Sequence, residues 1–512
     1  MKAERIRAGG TGSSVKAVML VLGVLLLAFL LGAALALEPR LLLPLVPAIL
    51  LIFVLWMGIF AARRALGTPT DWHAWVLLTF WVLTINLPTF LSFDQTGFSR
   101  DHGLFNAQSL SRIGLFALGF AALAVFWVLW SRGRNRQVAF APPLGAGLLF
   151  ALYGWYLVSA PFVASGLSVG LAAFRSLEWL VAFALLWLLF GIQNARGQTS
   201  FEDRLRLVLP MVLFAVGITF LMLIVRPEAT YQRSEITGLA RLGNPFAHPN
   251  LLAMASAILF AYAVALCTGW RRVLLAVTSL GVLGFTYSRG GYATLAVVLL
   301  FAFVLLLRHF GAKVMAVLVF VVAALVALQF PSVGEEANRF LSRGNEREGL
   351  TTLSERTAVW EAAKIMIRRS PWLGEGFIAG PKELGDVMVR ARLSNNFAAP
   401  HAHNELLQAQ ISGGIVATLL SLAIQLRIVF LLLFRAHLPR QAVFFMWAVF
   451  LSVTVWGLLG PSLSYFLSLP GVLLGWCVLT LEGLARQHRQ QSAKREPTNP
   501  YQPAGRPAAK MS

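Results

Sequence analysis

Long apolar runs separated by short polar segments recur along the whole chain, and this pattern predicts membrane-spanning helices. Several runs approach the ~20 residues that cross a bilayer, for example 15–37, 41–62 and 294–307. In order, the predicted spans are centred near residues 26, 51, 83, 121, 150, 182, 215, 260, 280, 300, 321, 420, 450 and 472. We therefore expect an all-α, polytopic membrane protein with about 12–14 transmembrane helices.

One long polar insertion interrupts these runs, and together with a polar C-terminal tail it divides the chain into four parts. The expected parts are 1–330 with transmembrane helices 1–11 and short loops, 331–403 as one large outer loop, 404–484 with the C-terminal transmembrane helices, and 485–512 as a disordered basic cytoplasmic tail. The tail is polar and rich in Gln, Arg and Pro, a composition typical of disorder. Loops as long as the insertion are commonly functional.

The large loop carries the signal of an amphipathic helix and is therefore expected to be folded. Thr352–Glu355 forms a capping box, in which the two side chains satisfy backbone N–H groups at a helix start. Behind it, Val359, Ala363 and Met366 share one apolar face. Pro371 ends the helix, because the residue before a proline is pushed out of the α region.

The distribution of Lys and Arg predicts the orientation of the spans. Basic residues concentrate in alternate short loops, as at Arg63, Arg132, Arg196, Arg271 and Arg435. Because cytoplasmic loops collect such residues, both termini are expected on the cytoplasmic side. The segments expected on the opposite, outer side are 226–249, Ser288–Gly291 and 331–403.

Composition supports a membrane protein and argues against a nucleic-acid-binding one. The chain is 58% hydrophobic and 13% charged, with a mean hydropathy of +0.72. Its formal net charge of +21 would suggest nucleic acid in a soluble protein, but the cytoplasmic loops account for it. The two cysteines, Cys267 and Cys477, form neither a disulfide framework nor a zinc motif.

Three arginines stand on the outer side, where the orientation rule disfavours them. Arg241 lies in GLARLGNPFAHPN, Arg289 in the SRGG turn, and Arg356 at the predicted loop helix. The planar guanidinium fork suits bidentate contact with phosphate. Such a cluster can hold a pyrophosphate, although a charged residue at a span end is also often an interfacial anchor.

Two of the eight histidines lie in the stretch His401-Ala402-His403-Asn404-Glu405, where the polar loop re-enters the membrane. Imidazole is the side chain best suited to take a proton near neutral pH. No DxD pair on the outer side and no HExxH motif is present in the sequence. We therefore predict a site with no metal and no cofactor.

Four motifs, in order, resemble those of the O-antigen ligase and polymerase superfamily. They are GLARLGNPFAHPNLLA, TYSRGGYATL, SERTAVWEAAKIMIRRSPWLGEGF and PHAHNELLQAQISGG. The last resembles the family's histidine motif, in which a His-Asn pair ends the large periplasmic loop and opens a span. The similarity covers about residues 145–480. One departure is Ala417, at a position where ligases often carry a second glycine.

The resemblance implies a GT-C-like, metal-independent inverting glycosyltransferase in the bacterial inner membrane, with its active face in the periplasm. Its donor would be a glycan on undecaprenyl pyrophosphate. The acceptor would be lipid A–core for a ligase, or a second lipid-linked repeat unit for an O-antigen or exopolysaccharide polymerase. The expected catalytic residues are His403 as the base and Arg289 and Arg356 at the leaving group. The residues expected to bind substrate are Arg241, Asn250, Trp360, His401, Asn404 and Glu405.

Two other classes of function remain open at this stage. A transporter would place ionisable residues at mid-membrane, and Arg175, Glu178 and Arg427 are the candidates. A non-catalytic scaffold of an envelope complex would need no histidine stretch at the mouth of the bundle. Ligase and polymerase are not distinguished by the sequence.

Overall fold

The computed structural model describes residues 123–124, 144–163, 166–195, 200–225, 227–233, 240–243, 247–306, 356–377, 379–393, 401–434, 438–458, 462–464 and 467–495. Several predicted features lie outside the described residues. They are the spans near residues 26, 51, 83 and 321, nearly all of the span near 121, and the capping box at Thr352–Glu355.

Helices dominate the described part of the chain. They are α1 Leu144–Val163, α2 Gly166–Ala195, α3 Phe201–Val225, α4 Pro249–Leu266, α5 Gly269–Phe285, α6 Arg289–Leu306, α7 Arg356–Arg369, α8 Ala379–Arg390, α9 Glu405–Phe434, α10 Arg440–Gly457 and α11 Leu469–Arg495. Seven of them, α1 to α4 and α9 to α11, are long and apolar enough to cross a membrane. The prediction of an all-α polytopic membrane protein is confirmed.

Helix starts follow local side-chain chemistry, as α3 illustrates. The Ser200 hydroxyl accepts a hydrogen bond from the backbone N–H of Asp203 at 3.2 Å, and the Asp203 carboxylate accepts one from the N–H of Ser200 at 3.1 Å. This reciprocal pair satisfies two N–H groups that a helix start leaves unpaired. The apolar run that follows then needs no polar partner inside the bilayer.

The last helix is longer than the sequence predicts. Disorder is expected from residue 485, whereas α11 continues to Arg495. The segment ARQHRQQSAKR is rich in Ala, Arg, Gln and Lys, which are good helix formers. A polar composition therefore marks the point where the helix leaves the apolar run, but not the point where it ends.

Packing contacts show which helix ends share a side of the bundle. Gly457 at the end of α10 lies beside Glu405 at the start of α9, since a Cβ on this glycine would be 3.5 Å from the Glu405 Cβ. Near the opposite end of α10, the ring of Phe445 packs against that of Tyr262, close to the end of α4, at a centroid distance of 6.1 Å. The start of α4 therefore lies on the same side as Glu405, which we call the histidine side.

A second ring contact and a hydrogen bond extend this assignment to α6. The ring of Phe301, in the last third of α6, packs against that of Trp447, in the first half of α10, with ring centroids 5.0 Å apart. The turn directly before α6 lies beside the start of α4, since the Ser288 hydroxyl donates to Oδ1 of Asn250 at 2.9 Å, so the start of α6 at Arg289 also lies on the histidine side.

The described part of the large loop forms a small hydrophobic core of its own. Helices α7 and α8 pack together and onto the start of α9. Their shared core contains Val359, Ala362, Ala363, Met366, Leu384, Val387, Met388, Ala402 and Ile411. The apolar face predicted for the loop helix is buried here, with Val359 and Ala363 at 0% exposure and Met366 at 1%.

Helix α9 is broken at Gly413 and Gly414, and the turn after α7 fills the break. Gly414 has φ +65° and ψ −161°, a conformation that only glycine adopts readily. A Cβ at this position would overlap the carbonyl oxygen of Trp372. The loop backbone therefore passes directly against the broken helix.

Backbone hydrogen bonds fix this junction on both sides of the break. The N–H of Glu375 donates to the carbonyl of Ile411 at 2.6 Å, and the N–H of Ile415 donates to the carbonyl of Pro371 at 3.0 Å. Phe377 then stacks on Tyr156 of α1, with ring centroids 4.4 Å apart. These contacts anchor the end of the loop helix to the membrane bundle.

Candidate functional site

Arg241 is held on a short antiparallel hairpin before α4. The hairpin pairs β1 Tyr231–Arg233 with β2 Ala240–Leu242, with Arg241 opposite Gln232. Arg241 is 9% exposed. Its Nε donates to the Thr286 carbonyl at 3.1 Å. The hairpin was not predicted, because three-residue strands between long helices carry no periodic signal.

Asn250 joins Arg241 to the turn before α6. Its Oδ1 accepts from the Arg241 guanidinium at 2.7 Å and from the Ser288 hydroxyl at 2.9 Å. The Ser288 oxygen in turn accepts from the N–H of Gly291 at 3.1 Å and so caps α6. The expectation for Asn250 is substrate binding, and in the structure its carbonyl oxygen bridges two protein groups.

Arg289 begins α6 directly after this capped turn. It is half-buried, and its Nε is buried. Gly291 brings α6 close to α4, since a Cβ here would overlap that of Ala253. A helix start carries partial positive charge from its unpaired N–H groups. Arg289 therefore adds a full charge where the backbone already favours an anion.

Arg356 is the first residue of α7. One turn later, the Trp360 indole N–H donates to the carbonyl oxygen of Ala402 at 3.0 Å. Arg356 and the histidine stretch therefore belong to the same folded unit of the large loop.

The two histidines lie ring against ring, with centroids 4.1 Å apart and an interplanar angle of 64°. The backbone N–H of His403 donates to Nδ1 of His401 at 3.2 Å. His403 has φ +50°, in the left-handed region that costs most residues roughly 1–2 kcal/mol. Strained residues of this kind cluster at functional sites.

Asn404 and Glu405 start α9 in different ways. The Asn404 Oδ1 caps the helix by accepting from the N–H groups of Leu406 at 3.0 Å and Leu407 at 3.1 Å. The Glu405 carboxylate is 3% exposed and accepts from backbone or hydroxyl groups of Ser421, Ser462, Leu463 and Ser464. Glu405 therefore anchors the histidine stretch to the turn before α11.

Gln408 belongs to this site and was missed in the sequence. Its Oε1 accepts from the N–H of Ala402 at 2.8 Å, and its Nε2 donates to the Ser412 hydroxyl at 3.0 Å. The sequence did contain a signal for it: Gln408 and Ser412 are polar residues four positions apart at the start of an apolar helix, and residues at this spacing share one helix face.

The cationic group around Arg241 and Arg289 and the histidine stretch lie on one side of the bundle. The starts of α4, α6 and α9 share the histidine side, as the ring contacts and the hydrogen bond from Ser288 to Asn250 show. A surface that carries guanidinium groups and an imidazole can bind a phosphate-bearing molecule and take a proton from a hydroxyl. Among the residues that the structure describes, no three His, Cys, Asp or Glu side chains group as metal ligands.

Comparison with known families supports the sequence motifs. Residues 274–422 match the O-antigen ligase family, which confirms the predicted resemblance over this part of the chain. The matched part includes Arg289, Arg356 and His403 and excludes Arg241 and Asn250. No curated protein matches the chain.

Proposed function

We propose that this chain is a glycosyltransferase of the O-antigen ligase type. It moves a glycan from undecaprenyl pyrophosphate to a sugar hydroxyl at the periplasmic face of the bacterial inner membrane. The observation that carries the proposal is the match to the O-antigen ligase family over residues 274–422, which holds Arg289, Arg356 and His403. The proposed partners are the lipid-linked donor, lipid A–core as acceptor and the surrounding lipids.

In the proposed reaction, His403 is the general base. The acceptor oxygen attacks the anomeric carbon of the donor glycan as its proton passes to the His403 imidazole. The bond from this carbon to the pyrophosphate oxygen breaks, and attack from the opposite face inverts the configuration. A base of this kind typically contributes ~10²–10⁴-fold.

The leaving pyrophosphate gains negative charge as the bond breaks. Arg289 and Arg356 would stabilise this charge with their guanidinium groups, because a fixed cationic donor stabilises an anion that develops in the transition state. The helix start at Arg289 adds the partial charge of its N–H groups. A further set of residues is proposed to shape or line the substrate site: Arg241, Asn250, Trp360, His401, Asn404 and Glu405.

The ionisable residues that would favour a transporter are paired with each other or with helix ends. Arg175 and Glu178, one turn apart on α2, form an ion pair at 2.6 Å. Arg427 donates to Glu482 at 2.9 Å. The Glu482 carboxylate also accepts from the N–H of Gly145 at the start of α1. The Arg427–Glu482 pair links α9 to α11 and, through Gly145, to α1, which supports a structural role for these charges.

One assay separates the proposed classes. Purified chain in proteoliposomes receives a lipid-linked glycan and a lipid A–core acceptor, and products are resolved by mass. Glycan on lipid A–core supports a ligase, whereas a longer lipid-linked glycan identifies a polymerase. Unchanged donor moved across the bilayer would contradict the proposal in favour of transport, and no change of either kind would favour a scaffold.

A further inference from the structure

Ala402, between the two histidines, is held by hydrogen bonds on both sides. Its N–H donates to Oε1 of Gln408 at 2.8 Å, and its carbonyl accepts from Nε1 of Trp360 at 3.0 Å. The two partners come from different elements, the loop helix α7 and the membrane helix α9. Ala402 itself is 0% exposed in the core of the loop.

These two bonds fix the peptide planes that carry the histidines. The Ala402 N–H belongs to the peptide that joins it to His401, and its carbonyl belongs to the peptide that joins it to His403. Together they set φ and ψ of Ala402 and the peptide plane on the N-terminal side of His403. On the other side, the carbonyl of Asn404 accepts from the N–H of Gln408 at 2.9 Å at the start of α9, so the torsion about the N–Cα bond of His403 is confined from both directions. This is the torsion that has the left-handed value of +50°, which persists only where neighbouring structure enforces it.

The side chain of Gln408 is oriented for this role. Gln408 is fully buried, and its Nε2 donates to the Ser412 hydroxyl. The amide oxygen is therefore the atom directed at Ala402. We call the two hydrogen bonds that hold Ala402, from Trp360 and to Gln408, the clamp. Because Ser412 directly precedes the helix break at Gly413, Gln408 connects this clamp to the junction between the loop and the membrane helix.

We propose that Trp360 and Gln408 are positioning residues that hold the imidazole of His403 in its reactive place through Ala402. The proposal rests on the proposed function, because it assumes that His403 acts on the substrate. It assigns Trp360 a role through the backbone rather than by contact with sugar. Displacing a reacting group by about 1 Å can cost on the order of 10²-fold in rate.

The test compares Trp360→Phe with a matched control on α1, whose indole also donates to a backbone carbonyl. Trp360→Phe keeps an aromatic ring but removes the indole N–H donor and part of the ring volume, and the control variant makes the same change. Trp155→Phe removes an equivalent bond, since the Trp155 indole donates to the Gly413 carbonyl at 2.7 Å. Each variant leaves one backbone oxygen without this donor, so similar losses in Tm are expected.

The expected result is a split between activity and stability. Trp360→Phe and Gln408→Leu lower kcat by about 10-fold to 10²-fold, with KM for the donor within about twofold of wild type, because the change affects the transition state and not binding. Trp155→Phe retains kcat. Equal kcat in Trp360→Phe and Trp155→Phe at equal Tm loss would overturn the proposal, and a raised KM with unchanged kcat would return Trp360 to substrate contact.

Hydrogen exchange separates failure of this inference from failure of the proposed function. Wild-type protein that transfers no glycan contradicts the proposed function alone. In that case, exchange of the peptide that covers 401–404 still tests the clamp. Faster exchange in Trp360→Phe and Gln408→Leu, but not in Trp155→Phe, supports it, and equal exchange in all three variants overturns it.

Discussion

The backbone N–H of His403 donates a hydrogen bond to Nδ1 of His401. A nitrogen that accepts a hydrogen bond carries no proton, so a neutral His401 has its proton on Nε2. The bond uses the backbone of His403 rather than its imidazole. The two histidines therefore have different environments, and a change in the side chain of His403 leaves this bond in place.

Substitution of His403 is expected to abolish transfer without unfolding the protein. His403→Asn is the sharper variant, because Asn tolerates the left-handed backbone that His403 adopts. Loss of a general base lowers turnover by ~10²–10⁴-fold. Turnover is measured in purified protein, with Tm as the control for folding. Activity near wild type would move the base assignment to His401.

Lysine at Arg289 or Arg356 is expected to lower turnover by about tenfold or more, because an ammonium keeps the charge but loses the bidentate fork. The measurement is kcat of each variant with saturating donor. Full activity of both variants would mean that the two arginines act only as diffuse positive charge.

The distance between Arg289 and Arg356 in a structure of the donor complex provides a second test of their shared role. In a donor complex, the guanidinium groups of Arg289 and Arg356 should lie within about 15 Å of each other, since both must reach one pyrophosphate at hydrogen-bond distance. A larger separation in that complex would exclude a shared leaving-group site.

Chelation is expected to leave activity intact. The sequence carries no acidic metal motif on its outer side, and guanidinium groups are proposed to meet the leaving-group charge. The measurement is turnover in EDTA, followed by addition of Mg²⁺ or Mn²⁺. Loss of turnover that these ions restore would make carboxylates of the large loop candidate ligands.

Gly414→Ala is expected to destabilise the fold, because alanine resists φ +65° and its Cβ would overlap Trp372. The backbone conformation alone, at φ +65° and ψ −161°, costs a residue with a Cβ about 1–3 kcal/mol, and the overlap adds to this. Gly217→Ala on α3 is the control, since a Cβ there meets nothing within 4 Å. Thermal unfolding in detergent should show a lower Tm for the first variant and no loss for the second.

Glu375→Gln is expected to raise Tm at neutral pH. Partial burial, with a smaller effect from nearby Glu383, raises the pKa of Glu375 above its ordinary value of 4.5, while Arg369 lowers it. The folded state therefore disfavours the ionised form. Wild-type stability should increase as the pH falls through the raised pKa towards about 4.5, and this rise should be smaller in the variant.

Glu361→Gln is the matched control for this pH dependence. Glu361 pairs with Lys364 on the surface of α7, where both side chains are more than half exposed. Surface pairs contribute little to stability, so this variant should keep the wild-type profile. If Glu375→Gln also keeps the wild-type profile, the burial of Glu375 does not affect stability.

Local patterns were sufficient to predict the long membrane helices among the described residues and the apolar face of α7, but not the loop helix α8. They also singled out the arginines as candidates, because basic residues on the expected outer side stand out against the orientation rule; these candidates and the histidine stretch remain predictions. The clamp on Ala402 could not be predicted, since Trp360 lies 42 residues away in sequence. The break at Gly414 depends likewise on backbone from a distant turn, and a glycine pair in an apolar helix is equally typical of close packing between unbroken membrane helices.

The break in α9 also limits how far His403 can lie from the part of the helix that crosses the hydrocarbon layer. From residue 415, the helix continues to Phe434 with Arg427 as the one charged residue of this segment, and at 1.5 Å per residue about 20 residues match the ~30 Å hydrocarbon layer. The part before the break begins at Glu405, so it raises His403 by at most roughly 12–15 Å above that layer. A headgroup region is roughly 5–8 Å thick. Under the proposed function, this height would keep the imidazole within reach of the first chemical bond beyond a lipid phosphate, and out of reach of bonds far along an extended sugar chain.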